Sequence, residues 1–213
     1  MKEELPKIDI LVRDTFELNT PTRQEKNEGY EELKSILEDY DIGNMVSDTL
    51  HLEWKEKVLI NDTDNKHGAH YKLPNETYVN YSRGAWGAMG VAHEMVHLIM
   101  HQNTWTEIPK IKNYINEHED LKDPTRMRTV GYPIEQMIAY LLMKDMALKI
   151  SENDDRIDKG RVFSQYNENW FTKILDTEYP TEHLKSLGNK IIEEWKNKPD
   201  NISITNWIES ILN

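Results

Sequence analysis

The chain has 213 residues, a formal net charge of −12, no cysteine, 30% charged residues and a mean hydropathy of −0.77. So acidic a balance argues against nucleic acid or an anionic membrane surface as the main partner, because both need a basic footprint. Without cysteine there are no disulfides and no thiolate metal sites, so any zinc would rest on His, Glu or Asp.

In chain order, Lys7 to Arg13 alternates, with Ile8, Ile10 and Val12 on one side, and predicts a first strand. Thr20-Pro21 opens a helix, with Thr22 and Glu25 in capping-box spacing and Tyr30, Leu33, Ile36 and Leu37 at helical spacing to about Asp39. Gly43 and Asn44 close that unit. The alternation of Leu50, Leu52, Trp54, Val58 and Ile60 predicts a second strand over 50–60. A polar loop follows over 61–74. Its Asp62, Asp64 and Gly68 faintly match a calcium loop, but the glycine is one place late and the closing glutamate is missing; His67 and His70 are expected to be solvated. Glu76 to Tyr81 predicts a short strand, with Ser82 as the cap of the next helix. Gly84, Gly87 and Gly90 form a bare ridge on that helix, expected to serve close helix-to-sheet packing, the alternative being approach of a substrate backbone.

The helix then runs to about His101. Ile108 to Glu119 predicts a modest helix, 121–131 is irregular, and Pro133 to Ile150 is a second strongly apolar helix. After a charged connection over 151–160, helices are expected over 162–177, 181–197 and 203–212, with Trp170, Trp195 and Trp207 as core anchors. The order implies an α+β fold in one domain: a lobe over 1–104 with a small mixed sheet, and an all-helical lobe over 105–213. The amino terminus lacks a signal-peptide core and no run is long enough to span a bilayer, so the expectation is a soluble, cytoplasmic protein.

The chemistry concentrates in GVAHEMVHLIMHQ, residues 90–102. His93-Glu94-Met95-Val96-His97 matches H-E-x-x-H. Residues four apart on a helix lie one above the other, so His93 and His97 can bind one metal ion, while Glu94, about 100° further round, is set to act as a base on a water. Val91, Ala92, Met95, Val96, Leu98, Ile99 and Met100 surround these polar groups, which are costly to bury unless something pairs with them. A catalytic zinc needs a third protein ligand. His101, one more turn along, rotates too far to share the same ion and reads as a helix-end histidine. Glu135, at the head of the other apolar helix, is the candidate, either as ligand or as an N-terminal cap. Glu107, Glu119 and Asp145 are lesser ones.

His93-Glu94-x-x-His97 followed 38 positions later by Glu135 resembles the gluzincin branch of zinc metallopeptidases. The resemblance covers about 77–146, and it departs from the better-known pattern in having Ala139 where an aspartate follows the ligand glutamate. It implies a zincin-like fold, zinc on His93, His97 and Glu135, Glu94 as general base, and a peptide or protein substrate aligned on strand 76–81 as a sheet edge. It also implies a tyrosine as oxyanion donor, with Tyr132 the first choice and Tyr140 and His118 as alternatives; Tyr132 equally suits a staple at the helix entry. Two other functions fit the motif: hydrolysis of a non-peptide amide, and a zincin-like interaction module without catalysis. A retained Glu94 speaks against the last.

Overall fold

A computed structural model describes residues 10–13, 23–63, 69–122 and 130–212. The fold is mixed α and β, mostly helical, around a four-stranded sheet. Strands β1 (Ile10–Val12), β2 (Val58–Asp62), β3 (His70–Lys72) and β4 (Glu76–Val79) lie in the order β1-β2-β4-β3. β1 pairs parallel to β2 and β2 parallel to β4, while β3 runs antiparallel to β4. The helices are α1 (Arg23–Asp39), α2 (Ile42–Leu50), α3 (Ala85–Gln102), α4 (Pro109–Glu117), α5 (Tyr132–Ser151), α6 (Lys159–Gln165), α7 (Glu168–Glu178), α8 (Glu182–Trp195) and α9 (Ile204–Ile211). Among the described residues no helix is long and apolar enough to cross a membrane.

α3 is the hub. It packs on α1, α2, β3, β4 and α5, and its apolar residues from Val91 to Met100 are all fully buried, as an element that is hydrophobic all round must be. One core cluster runs from Leu33 of α1 to Leu212 after α9, crossing the two lobes expected from sequence. The glycine ridge serves close packing: a Cβ on Gly87 would meet Leu33 and Val79, and the positive φ of Gly84, 54°, makes the sharp entry to α3.

The polar clamp that aims α3 is a buried ion pair. Lys26 Nζ of α1 lies 2.5 Å from Asp62 Oδ2 at the end of β2, with side chains only 1% and 0% exposed. The other oxygen of Asp62 accepts the backbone N–H of Tyr81 at 3.1 Å, and the Tyr81 hydroxyl donates to the carbonyls of Arg13 and Ile60. The 3-10 turn Tyr81–Arg83, which feeds α3, is thereby tied to α1, β1 and β2 at once. Asp62, half of the faint calcium motif, is thus engaged by Lys26; Asp64, Gly68 and His67 lie outside the described residues, as do Thr20 and Thr22.

Several boundaries differ from the sequence expectations, each for a local reason. Residues 42–50 are helical because Ile42, Val46 and Leu50 recur at four-residue spacing and all reach the core, with Gly43 tolerated inside the helix. The alternation over 50–57 is therefore not a strand. It is a loop laid on the core, held by Ser47 Oγ donating to the Leu52 carbonyl (2.7 Å) and Trp54 Nε1 to the Gly43 carbonyl (3.0 Å). His70 belongs to a strand within the expected loop and stacks on Tyr78. Asn80, not Ser82, caps the turn after β4. Residues 162–177 break into α6 and α7 because Asn167 Oδ1 accepts the Trp170 N–H and starts a new helix.

Candidate active site

His93 and His97 stand one turn apart on α3, with their Nε2 atoms 3.4 Å apart. Imidazole ligands at 2.0–2.1 Å around a tetrahedral ion have nitrogens about 3.3–3.4 Å from each other, so this pair is spaced as one edge of such a tetrahedron. His97 is gripped between two rings, Tyr71 of β3 at 4.7 Å and 16° and Tyr132 of α5 at 5.6 Å and 4°. Its Nδ1 lies 2.6 Å from Glu135 Oε1. With the proton of Nδ1 donated to that carboxylate, the lone pair of Nε2 faces His93, which is the tautomer a metal ligand needs.

Glu135 is fully buried and gathers four donors from three segments: α3, the 3-10 turn Trp105–Glu107 and β3. Besides His97, it accepts from His101 Nε2 (3.1 Å), from Trp105 Nε1 (3.1 Å) and from the Tyr71 hydroxyl (3.4 Å). Burial alone would raise its pKa, but the charge of His97 and the hydrogen bonds of His101 and His97 hold it at about 2. For His97 the balance runs the other way: burial pushes its pKa down, and the charge and hydrogen bond of Glu135 outweigh burial and leave it raised. Gly131 makes this possible. It caps α5 at φ 77°, and a Cβ there would stand 2.8 Å from the Trp105 ring, so a side chain would push away the indole that reaches Glu135.

Of the sequence expectations for this cluster, His93, Glu94 and His97 come together with Glu135 and Tyr132, but Glu135 does not stand in the expected position. Its carboxylate reaches His97 from the Nδ1 side, in the gap between His97 and His101, rather than beside the two Nε2 atoms. The backbone N–H of Gly131, which a capping Glu135 would take, donates instead to the Leu121 carbonyl at 3.0 Å. Among the described residues, no three His, Asp or Glu side chains are arranged to hold a metal ion. His101 is more than a helix end, since it shares the Glu135 carboxylate; the recurrence of histidine at 93, 97 and 101 was the sequence signal for this second layer. Glu107 and Glu119 pair with Lys112 and Lys122 at the surface, Asp145 accepts from Trp195 Nε1, and His118 stacks on His183, all elsewhere.

His93 opens onto a cavity of about 280 Å³, with His97 buried behind it; the lining includes His93, Glu94, Tyr132, Gln136, Tyr140 and Arg83. Glu94 is 6% exposed. The Tyr140 ring lies 4.7 Å from His93 and its hydroxyl donates to Glu178 Oε1 at 3.1 Å; burial, with the Glu178 charge adding to it, raises its pKa, so it stays a donor. Gln136, 5% exposed, has a buried Oε1 that meets no hydrogen-bond partner at ordinary geometry, although the residue stands near enough to His97 to favour its protonated form. Trp170 lines the same cavity and is only part-buried, so it is a wall residue rather than a core anchor. Trp195 and Trp207 do pack in the core, edge to face. The sheet edge beside the cavity is β3, preceded by the lining residue Ala69; β4, expected at the edge, is covered by β3 because residues 70–72 pair with it.

Against protein-family models, curated proteins and solved structures the chain has no match. Two preset imidazole nitrogens, a buried carboxylate behind one of them, an unpartnered amide oxygen and a second carboxylate in the cavity wall fit a divalent metal ion of the zinc type.

Proposed function

We propose that this protein is a zinc-dependent hydrolase of peptide bonds, of zincin-like kind, working in the cavity between α3 and α5. The observation that carries the proposal is the 3.4 Å spacing of the His93 and His97 Nε2 atoms with Glu94 in the same cavity wall. His93 and His97 hold the metal. Glu135 fixes the ring and tautomer of His97 from behind, and the Gln136 carbonyl oxygen is the remaining protein lone pair at hand. When bound, zinc supplies Lewis acidity, lowering the pKa of a water and polarising a carbonyl.

The protein's own groups then divide the proton work. Glu94 takes the proton of the attacking water and returns it to the leaving amine. The Tyr132 hydroxyl donates to the oxyanion; Tyr140, kept protonated by burial, is the alternative donor if its proton turns to the oxyanion from Glu178. An extended peptide adds to the β3 edge, which leaves a row of backbone groups beside the cavity.

A cavity near the lower end of the range for small-ligand sites favours, as a second possibility, a small non-peptide amide as substrate. The test separates the two. Purified protein is expected to carry about one zinc per chain, to cleave casein, and to lose cleavage in phenanthroline. Glu94→Gln should keep the zinc and lose turnover by about 100-fold or more. A protein that binds no zinc sinks the proposal; one that binds zinc and hydrolyses small amides but no peptide moves it to the second possibility.

A further inference from the structure

The cavity has a second chemical end. Arg83, in the turn before α3, lines it half-buried, and its Nη1 lies 3.8 Å from where a Cβ on Gly90 would stand. Gly90 is one turn ahead of His93 and Glu94 on the same helix, so the guanidinium sits about 5 Å up the helix axis from the catalytic turn. Arg161 of α6 lies over the ring of Trp86, 4.2 Å from its centroid, and Trp86 is part of the same wall. The charge of Arg161 is felt at Arg83, and both are felt at Tyr166, another lining residue.

Arg83 in the cavity wall, with the exposed Arg161 lying over the ring of the wall residue Trp86, thus gives one cavity end a positive charge in a chain whose net charge is −12. Among the described residues, no Asp or Glu side chain pairs with either of them, although seven other basic residues outside the site, from Lys26 to Lys185, have a carboxylate within 4 Å. Burying a guanidinium without a counter-charge is costly, and a like charge beside it adds to the cost. Gly90 keeps the floor between Arg83 and the His93–Glu94 turn free of side chain.

We infer that this end of the cavity binds a carboxylate of the substrate, with Arg83 and Arg161 as its specificity-determining residues. This inference rests on the hydrolase proposal above for the word substrate, not for the binding itself. Arginine suits a carboxylate because its planar fork matches the two oxygens. The carboxylate has two sources, an acidic side chain next to the scissile bond or the free carboxyl terminus of a peptide. The first makes the protein an endopeptidase selective for acidic residues, the second a carboxypeptidase.

The test is binding, read without turnover. Trp86 and Trp170 line the cavity, so their fluorescence reports occupancy in zinc-loaded Glu94→Gln protein titrated with three probes. Acetyl-glutamate amide carries only the side-chain carboxylate, acetyl-glutamine with a free terminus only the main-chain one, and acetyl-glutamine amide neither. One charged probe is expected to bind about 10- to 100-fold tighter than the neutral one, less so in high salt, and Arg83→Gln should cut that ratio to about threefold or less. The exposed Arg161→Gln gives a second, smaller loss should Arg83→Gln fail to fold. Equal binding of all three probes, or a charged preference that survives both substitutions, overturns the inference. Charged-probe binding in a protein that hydrolyses no peptide would overturn the proposed reaction and leave the carboxylate site standing.

Discussion

Glu135→Gln distinguishes a positioning carboxylate from a metal ligand. The substitution keeps the size of the side chain and one oxygen, and removes the charge that His97, His101, Trp105 and Tyr71 converge on. Because Glu135 is fully buried, no water replaces the lost charge, and breaking a buried ion pair from one side costs about 3–5 kcal/mol. For a domain of this size that lowers Tm by roughly 6–20 °C. Zinc is affected less. A carboxylate that orients a ligating histidine is worth about 10- to 100-fold in affinity, whereas His97→Ala removes half of the histidine pair. The assay is a zinc titration against a chromogenic chelator, with thermal melts of the metal-free proteins alongside. The expected result is a large drop in Tm with zinc binding weakened no more than about 100-fold. Zinc loss as complete as in His97→Ala would refute the positioning role and put the carboxylate on the metal; an unchanged Tm and affinity would take Glu135 out of the site.

Three more outcomes follow from the fold. Lys26→Met removes the buried cation 2.5 Å from Asp62 and should cost about 3–5 kcal/mol in urea unfolding, while Lys26→Met combined with Asp62→Asn should recover much of it. Gly131→Ala forces a Cβ into a left-handed position against the Trp105 ring and should cost about 1–3 kcal/mol, weakening zinc binding as well by displacing the indole from Glu135. Asp154 is held at about 2, first by its hydrogen bonds from Arg156, against an ordinary 3.8. A depressed carboxyl pKa stabilises the fold above about pH 4, and the benefit disappears as pH falls toward 2. Arg156→Met should therefore destabilise at pH 7, by about 1 kcal/mol or less because Arg156 is one-third exposed, and the gap from the parent in urea midpoint should close between pH 4 and pH 2.5; a gap that widens on acidification refutes this account.

Periodicity carried the sequence a long way. The spacing of apolar residues marked α3 to about His101 and α5 over 133–150, nearly to the residue, and with them the two buried helices that face each other across the site. H-E-x-x-H on a buried helix also fixed which faces of α3 carry His93, His97 and Glu94, because helical rotation is a local property. The α+β class was legible for the same reason: strands and helices are written in periods of 2 and 3.6.

What the chain order could not supply is which partner a buried group meets. Glu135 was visible as a carboxylate that wants a cation, but whether it reaches the Nε2 edge or the Nδ1 side of His97 depends on how α5 is docked along α3, and that is set by Gly131, Trp105 and the rings of Tyr71 and Tyr132. Strand β3 was lost in a polar loop because three residues are too few to show a period, and its pairing with β4 moved the free sheet edge by one strand. Arg83 and Arg161, 78 positions apart, carry no motif at all. Local sequence determined the helix that carries His93, Glu94 and His97; only the tertiary structure decided what stands behind its histidines and which charge waits at the far end of the cavity, since both depend on contacts between segments distant in the chain.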